Sequence, residues 1–164
     1  MLQSNSKPIF IVDAMLGNIA KKLRLLGYDS EYSSNISDDE LILKAKTENR
    51  FLLTKDESLC KKAKKQAVSV LQVKNDKEIE QLVQIFENLK LSKVLVSGNT
   101  TRCTECNGLL EEIEKEFVKN KVPDGVLEKI NDFWKCKNCN KIYWEGTHIE
   151  RLQKFVDDLN EKLQ

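Results

Sequence analysis

The chain has 164 residues, 40% of them hydrophobic and 32% charged, with a formal net charge of +1. That length suits one ordinary domain plus a small appendage. Apolar runs no longer than four residues exclude a membrane-spanning helix, and a net charge so close to zero excludes a global field that draws the protein onto nucleic acid. The opening stretch "MLQSNSKPIFIVDA" has no apolar signal-peptide core, so a cytoplasmic protein is expected.

The first half predicts strands and helices in alternation. "IFIV" (9–12) is a continuous apolar run of the kind buried on both faces of a sheet. Residues 15–27 carry Leu16, Ile19, Ala20, Leu23 and Leu26 at helical spacing, ending at Gly27. A weaker strand follows at 28–33, then a helix over 38–49 with Leu41, Ile42 and Ala45 inward. "FLLT" (51–54) and "VSVLQV" (68–73) are further strands, separated by a Lys-rich helix. Residues 76–90 carry the cleanest helical stripe: Ile79, Leu82, Val83, Phe86 and Leu89. This order predicts an α/β fold, a parallel sheet flanked by helices with right-handed crossovers, over residues 1–95. Residues 96–164 form a second unit that holds two C-x-x-C pairs and ends in a helix from about residue 148. The two units carry net charges of +3 and −2, and neither value implies a partner.

The first strand runs directly into an acid, Asp13, with no turn residue between. Asp38 and Asp39 follow the second strand, and Asp56 follows "FLLT" by two residues. In a parallel sheet all of these lie at the carboxyl edge, where open α/β folds place their sites. Carboxylates gathered there repel one another unless a cation joins them, and oxygen ligands suit Mg²⁺ or Mn²⁺. Such ions activate water and stabilise the leaving oxygen in phosphodiester hydrolysis. The bland alternative is helix capping. "SDDE" (37–40) and "TKDE" (54–57) both match the S/T-x-x-E capping box, and acids in a first helical turn favour the helix dipole. Asp13 resists that reading best, since an acid abutting a buried strand needs a partner.

Five cysteines are present. Cys103, Cys106, Cys136 and Cys139 give C-x₂-C-x₂₉-C-x₂-C, two knuckles that complete a four-sulfur tetrahedral shell and suit a structural Zn²⁺. An iron–sulfur cluster is the less favoured occupant. Asn107, Gly108 and Asn140 supply turn-compatible backbone beside the knuckles. Cys60 stands alone and reads as a small buried hydrophobe. Phe133, Trp134, Tyr143 and Trp144 surround the second knuckle; packing around the metal accounts for most of them, with an exposed one left to touch RNA. His148 opens the last helix within another capping-box pattern, "THIE" (147–150). The stripe Ile149, Leu152, Val156, Leu159 and Leu163 packs on the protein or meets a protein partner or a second copy of the chain.

The stretch 9–59 resembles the PIN-like ribonuclease domain family called Mut7-C. The shared blocks are a strand ending in Asp followed by "LG-x-x-A-x-x-LR-x-LGYD" (13–29), "DDEL" (38–41) and "LLT-x-D" (52–56). The family also carries a C-terminal four-cysteine zinc ribbon, so the resemblance spans nearly the whole chain. It implies that Asp13, Asp38 and Asp56 are the metal-holding acids, with Asp39 an additional candidate; no residue matches the fourth acid usual in PIN domains. The resulting expectation is a metal-dependent ribonuclease, with RNA held by Lys21, Lys22 and Arg24 or by the cluster containing Lys61 and Lys62. A catalytically weak or inactive RNA- or ribosome-associated binding module is the alternative. A protein adaptor that binds no nucleic acid is the third.

Overall fold

The computed structural model describes residues 7–163, the side chains of 147–149 excepted. The first strand, β1 (Phe10–Val12), is buried at every position, as the unbroken apolar run requires. A 3-10 turn (Ala14–Leu16) precedes α1 (Gly17–Leu25), so the helix proper starts two residues later than its apolar spacing suggests. The reason is local: the Asp13 carboxylate accepts the N–H of Ala14 and winds the chain tightly at once. Gly27, just beyond α1, has φ +91°, and a Cβ there would lie 2.8 Å from the Thr100 carbonyl oxygen. Conformation and space therefore both demand glycine at this stop.

The unit continues through β2 (Ser30–Tyr32), α2 (Asp38–Thr47), β3 (Phe51–Thr54), α3 (Glu57–Lys65), β4 (Val70–Gln72) and α4 (Glu78–Asn88). All strand pairs are parallel, in the order β2-β1-β3-β4. The chain steps one way from β1 to β2 and the other way from β3 to β4, so the winding reverses between β1 and β3. Helices α1 and α4 cover one face and α2 and α3 the other, each with its own apolar cluster. On the first face Tyr28 sits edge-on between Phe10 and Phe86, with both centroids 5.8 Å away.

The second unit is a three-stranded antiparallel sheet, β5 (Leu110–Ile113), β6 (Phe133–Cys136) and β7 (Ile142–Trp144), in that order. A 3-10 turn (Lys115–Val118) and α5 (Asp124–Lys129) fill the long spacer between the cysteine pairs. Val118, Val122 and Phe133 give this unit a small core of its own. The last helix, α6 (Thr147–Lys162), packs elsewhere. Its Leu152, Val156 and Leu159 are buried in the same cluster as Leu82, Ile85 and Phe86 of α4. The sequence division at residue 95 groups α6 with the ribbon, whereas its apolar stripe completes the core of the parallel sheet. Asn160 fastens it there, its amide donating to the Val94 carbonyl and accepting from the Val94 N–H at 2.9 and 3.0 Å. Among the described residues no helix is long and apolar enough to cross a membrane.

Candidate functional site

The carboxyl edge of the sheet holds the sequence-predicted acids. Asp13 leaves β1 with its backbone N–H on the Leu53 carbonyl of β3, which keeps the two strands together past their last paired residues. Its Oδ2 accepts the Thr54 hydroxyl at 2.8 Å, and the same hydroxyl oxygen accepts the Asp56 N–H at 3.0 Å. Thr54 is fully buried and therefore acts as a fixed link between Asp13 and Asp56. Asp56 Oδ1 accepts the Leu59 N–H at 3.1 Å and caps α3. The expected "TKDE" capping box is thus replaced: Thr54 serves Asp13, and Asp56 takes over the cap. The other box forms as read, with reciprocal bonds between Ser37 and Glu40.

Asp38 and Asp39 open α2 at this same edge, both exposed. Asp39 is ion-paired with Lys62 of α3, whose pKa the hydrogen bond and charge of Asp39 raise. The sequence reading missed Asp76, which follows β4 and pairs with Lys55 at 2.8 Å. Its only signal was position, the first acid beyond the fourth strand. These acids do not form a tight cluster. Among the described residues the four cysteines are the one group of three or more metal-ligating side chains with donor atoms all within 4.8 Å of one another.

The basic residues divide differently from their appearance in sequence. Lys21 is exposed, and Lys61 pairs with Glu57 on its own helix at 3.0 Å. Lys22 lies 3.8 Å from Glu78 and 4.7 Å from the centroid of the Phe155 ring. Arg24, expected beside Lys21 and Lys22 on an RNA-facing surface, is only 5% exposed. Its guanidinium donates to the carbonyls of Ser30 and Thr104 at 2.8 and 2.7 Å. This corrects the expectation: Arg24 ties the ribbon to the sheet.

That junction lies at the amino edge, opposite Asp13 and Asp56. Asp29, just before β2, is its centre. Its carboxylate accepts Arg50 at 2.7 Å and the Asn107 amide at 2.6 Å, with Arg102 3.8 Å away. Asn107 also accepts the Ser30 N–H. Burial works to raise the Asp29 pKa, but the hydrogen bonds from Arg50 and Asn107 and the charges of Arg50 and Arg102 hold it below the usual carboxylate value. The sequence signal lay in "LGYD" and "CNG", but nothing along the chain indicated that the two meet.

In the ribbon, both knuckles turn through an Asn in the left-handed region, Asn107 at φ 67° and Asn140 at φ 65°. Cys103 and Cys139 sulfurs lie 3.6 Å apart, and Cys106 and Cys136 sulfurs 3.4 Å. A tetrahedral shell with Zn–S bonds of about 2.3 Å has sulfur–sulfur edges of about 3.8 Å, so this set fits a metal ion closely. A Cβ on Gly108 would approach the Cys136 sulfur to 2.8 Å, so glycine is what lets the knuckles close. Burial raises the Cys136 thiol, but backbone N–H groups of Cys139 and Asn138 and the neighbouring thiols outweigh it and bring it to about 7. Burial and the hydrogen bond to Cys136 push Cys106 up to about 12. Tyr143 adds its hydroxyl 3.0 Å from the Cys103 sulfur. Phe133 and Trp134 are buried, while Tyr143 and Trp144 are half-buried. Cys60 is buried as a small hydrophobe. The His148 side chain lies outside the described residues.

A family model described as the Mut7-C RNAse domain matches residues 8–156, nearly the whole chain. No curated protein matches it.

Proposed function

We propose that this chain, which belongs to the Mut7-C RNAse domain family, is a metal-dependent ribonuclease of PIN-like type working at the carboxyl edge of its parallel sheet. The observation that carries this reading is the Asp13–Thr54–Asp56 linkage, which sits where the winding of the sheet reverses, between β1 and β3. Open α/β sheets bind ligands at such reversal points. Each Asp13 oxygen accepts one hydrogen bond and keeps capacity for another.

Mg²⁺ or Mn²⁺ is the fitting ion, because Mg²⁺ commonly uses only one or two carboxylates and keeps several waters, so a spread set of acids suffices. Asp13 and Asp56 would hold it, with Asp38 contributing from α2 and Asp39 and Asp76 as further acids at the edge. When bound, such an ion supplies an activated water and charge stabilisation for the leaving oxygen of an RNA phosphate. Thr54 holds the Asp13 carboxylate in one orientation by donating to it. The ribbon cysteines would hold a structural Zn²⁺, since four thiolates leave no open position for chemistry. Capping of α3 by Asp56 and the pairing of Asp39 with Lys62 favour the second reading, an RNA- or ribosome-associated binding module, because both uses are structural.

The test is cleavage of labelled single-stranded and structured RNAs by zinc-loaded protein, with Mn²⁺, with Mg²⁺ and with neither. Cleavage that needs the added ion and falls at least about 100-fold in both Asp13→Asn and Asp56→Asn supports the nuclease. RNA binding without cleavage supports the module, and equal cleavage by all three proteins marks a contaminant.

A further inference from the structure

A groove of about 1030 Å³ runs between the ribbon, α5, α6 and α1, and none of the carboxyl-edge acids lines it. Its wall is mainly apolar, yet four of its lining residues are cations, Lys22, Lys129, Lys141 and Arg151, and none is an acid. Two of these cations are paired with acids outside the lining, Lys22 with Glu78 at 3.8 Å and Lys141 with Glu105 at 3.3 Å. Lys129 and Arg151 are exposed and have no carboxylate within 4.0 Å among the described residues. Three aromatic rings share the wall: Tyr143, Trp144 and Phe155. Lys141 stands 5.2 Å from the Tyr143 centroid and Lys22 4.7 Å from that of Phe155, so charge and ring are already interleaved.

We propose that this groove binds a single strand of RNA, with unpaired bases against the aromatic wall and phosphates on the four cations. Single-strand sites combine these two elements, a cationic track and stacking surfaces that accept any base. A duplex hides its base faces and offers nothing to the aromatic wall. An acidic peptide would use the cations but leave the rings without a flat partner. The choice of RNA rests on the ribonuclease reading. The placement suits it, because α1 leads from the groove at Lys22 to the 3-10 turn at Asp13, and its nine residues span about 13 Å. Exposed Lys21 lies on the way.

The experiment measures binding of a dye-labelled uridine-rich single strand to zinc-loaded protein without Mg²⁺ or Mn²⁺, over a range of salt. Wild type and the double variant Lys129→Ala/Arg151→Ala are compared, with a duplex and a poly-glutamate peptide as competitors. Both groove positions are on the surface, and metal content and circular dichroism verify the fold. The proposal expects the double variant to bind at least about 10-fold more weakly. It also expects a log–log salt slope shallower by about 1.4, from about 0.7 per lost phosphate contact on single strands. Duplex and peptide should compete poorly. Unchanged binding in the double variant, equal competition by duplex or peptide, or no single-strand binding by wild type overturns it. Groove-dependent binding with no cleavage under any ion leaves this proposal standing and removes the nuclease reading.

Discussion

At the carboxyl edge of the parallel sheet, Asp38 and Asp56 are exposed and Asp13 is half-buried; Asp13 accepts two hydrogen bonds and Asp56 one. At the amino edge, Asp29 is enclosed by Arg50, Asn107 and Arg102, drawn from two units far apart in sequence. The residue type is the same and the strands are the same; what differs is whether the partners saturate the carboxylate. A saturated acid builds, and an acid with open lone pairs remains able to bind. The amino edge should therefore govern stability and the carboxyl edge activity.

The strongest way to break this division is to remove the unit that the amino edge clasps. Cys136→Ser should abolish metal retention and unfold the ribbon, since structural zinc sites contribute folding energy on the order of 10 kcal/mol. Metal analysis and loss of amide protection in β5 to β7 would report it, while β1 and β3 keep theirs. Next in size is Asp29→Ala, which leaves the buried guanidinium of Arg50 with the Phe10 carbonyl at 3.0 Å and, as counter-charges, only the more distant Glu31 and Glu48, at 3.9 and 3.6 Å. Loss of about 2–4 kcal/mol in denaturant unfolding is expected, with cleavage per folded molecule retained.

The same acid predicts a pH dependence. Its folded pKa is depressed, so its contribution is fully present above the unfolded value of about 3.9 and is lost as pH falls through the folded value. Urea titrations from neutral to acid pH should show that slope in wild type and lack that part of it in Asp29→Asn. Asp13→Asn should shift stability by only about 1 kcal/mol or less, because an amide oxygen still accepts from Thr54, yet remove nearly all metal-dependent cleavage. A large loss of stability there would erase the contrast between the edges. The smallest effect belongs to Lys62→Ala, which breaks an exposed pair with Asp39 and should leave thermal unfolding unchanged.

The sequence was most readable where burial is dictated by short-range pattern. "IFIV" and "FLLT" became the two central strands, Leu82 and Phe86 of the α4 stripe were buried while Ile79, Val83 and Leu89 are half-buried, and the two C-x-x-C pairs came together. It was least readable where a residue's partner is remote. Arg24 looks like its neighbours Lys21 and Lys22 along the chain; only the Thr104 carbonyl, 80 residues on, makes it a buried clasp. Thr54 looked like a helix cap because the competing demand of Asp13 comes from another strand. The stripe of α6 was plain, but the choice between ribbon, sheet and partner depended on where the chain returned after the ribbon.

That return sets the timing of synthesis. The face of the sheet formed by α1 and α4 is finished only by Leu152, Val156 and Leu159, which leave the ribosome after the entire ribbon. At roughly 5–20 residues per second, the roughly sixty residues between α4 and that stripe take several seconds to emerge. During this interval the nascent chain presents an apolar face that only α6 covers.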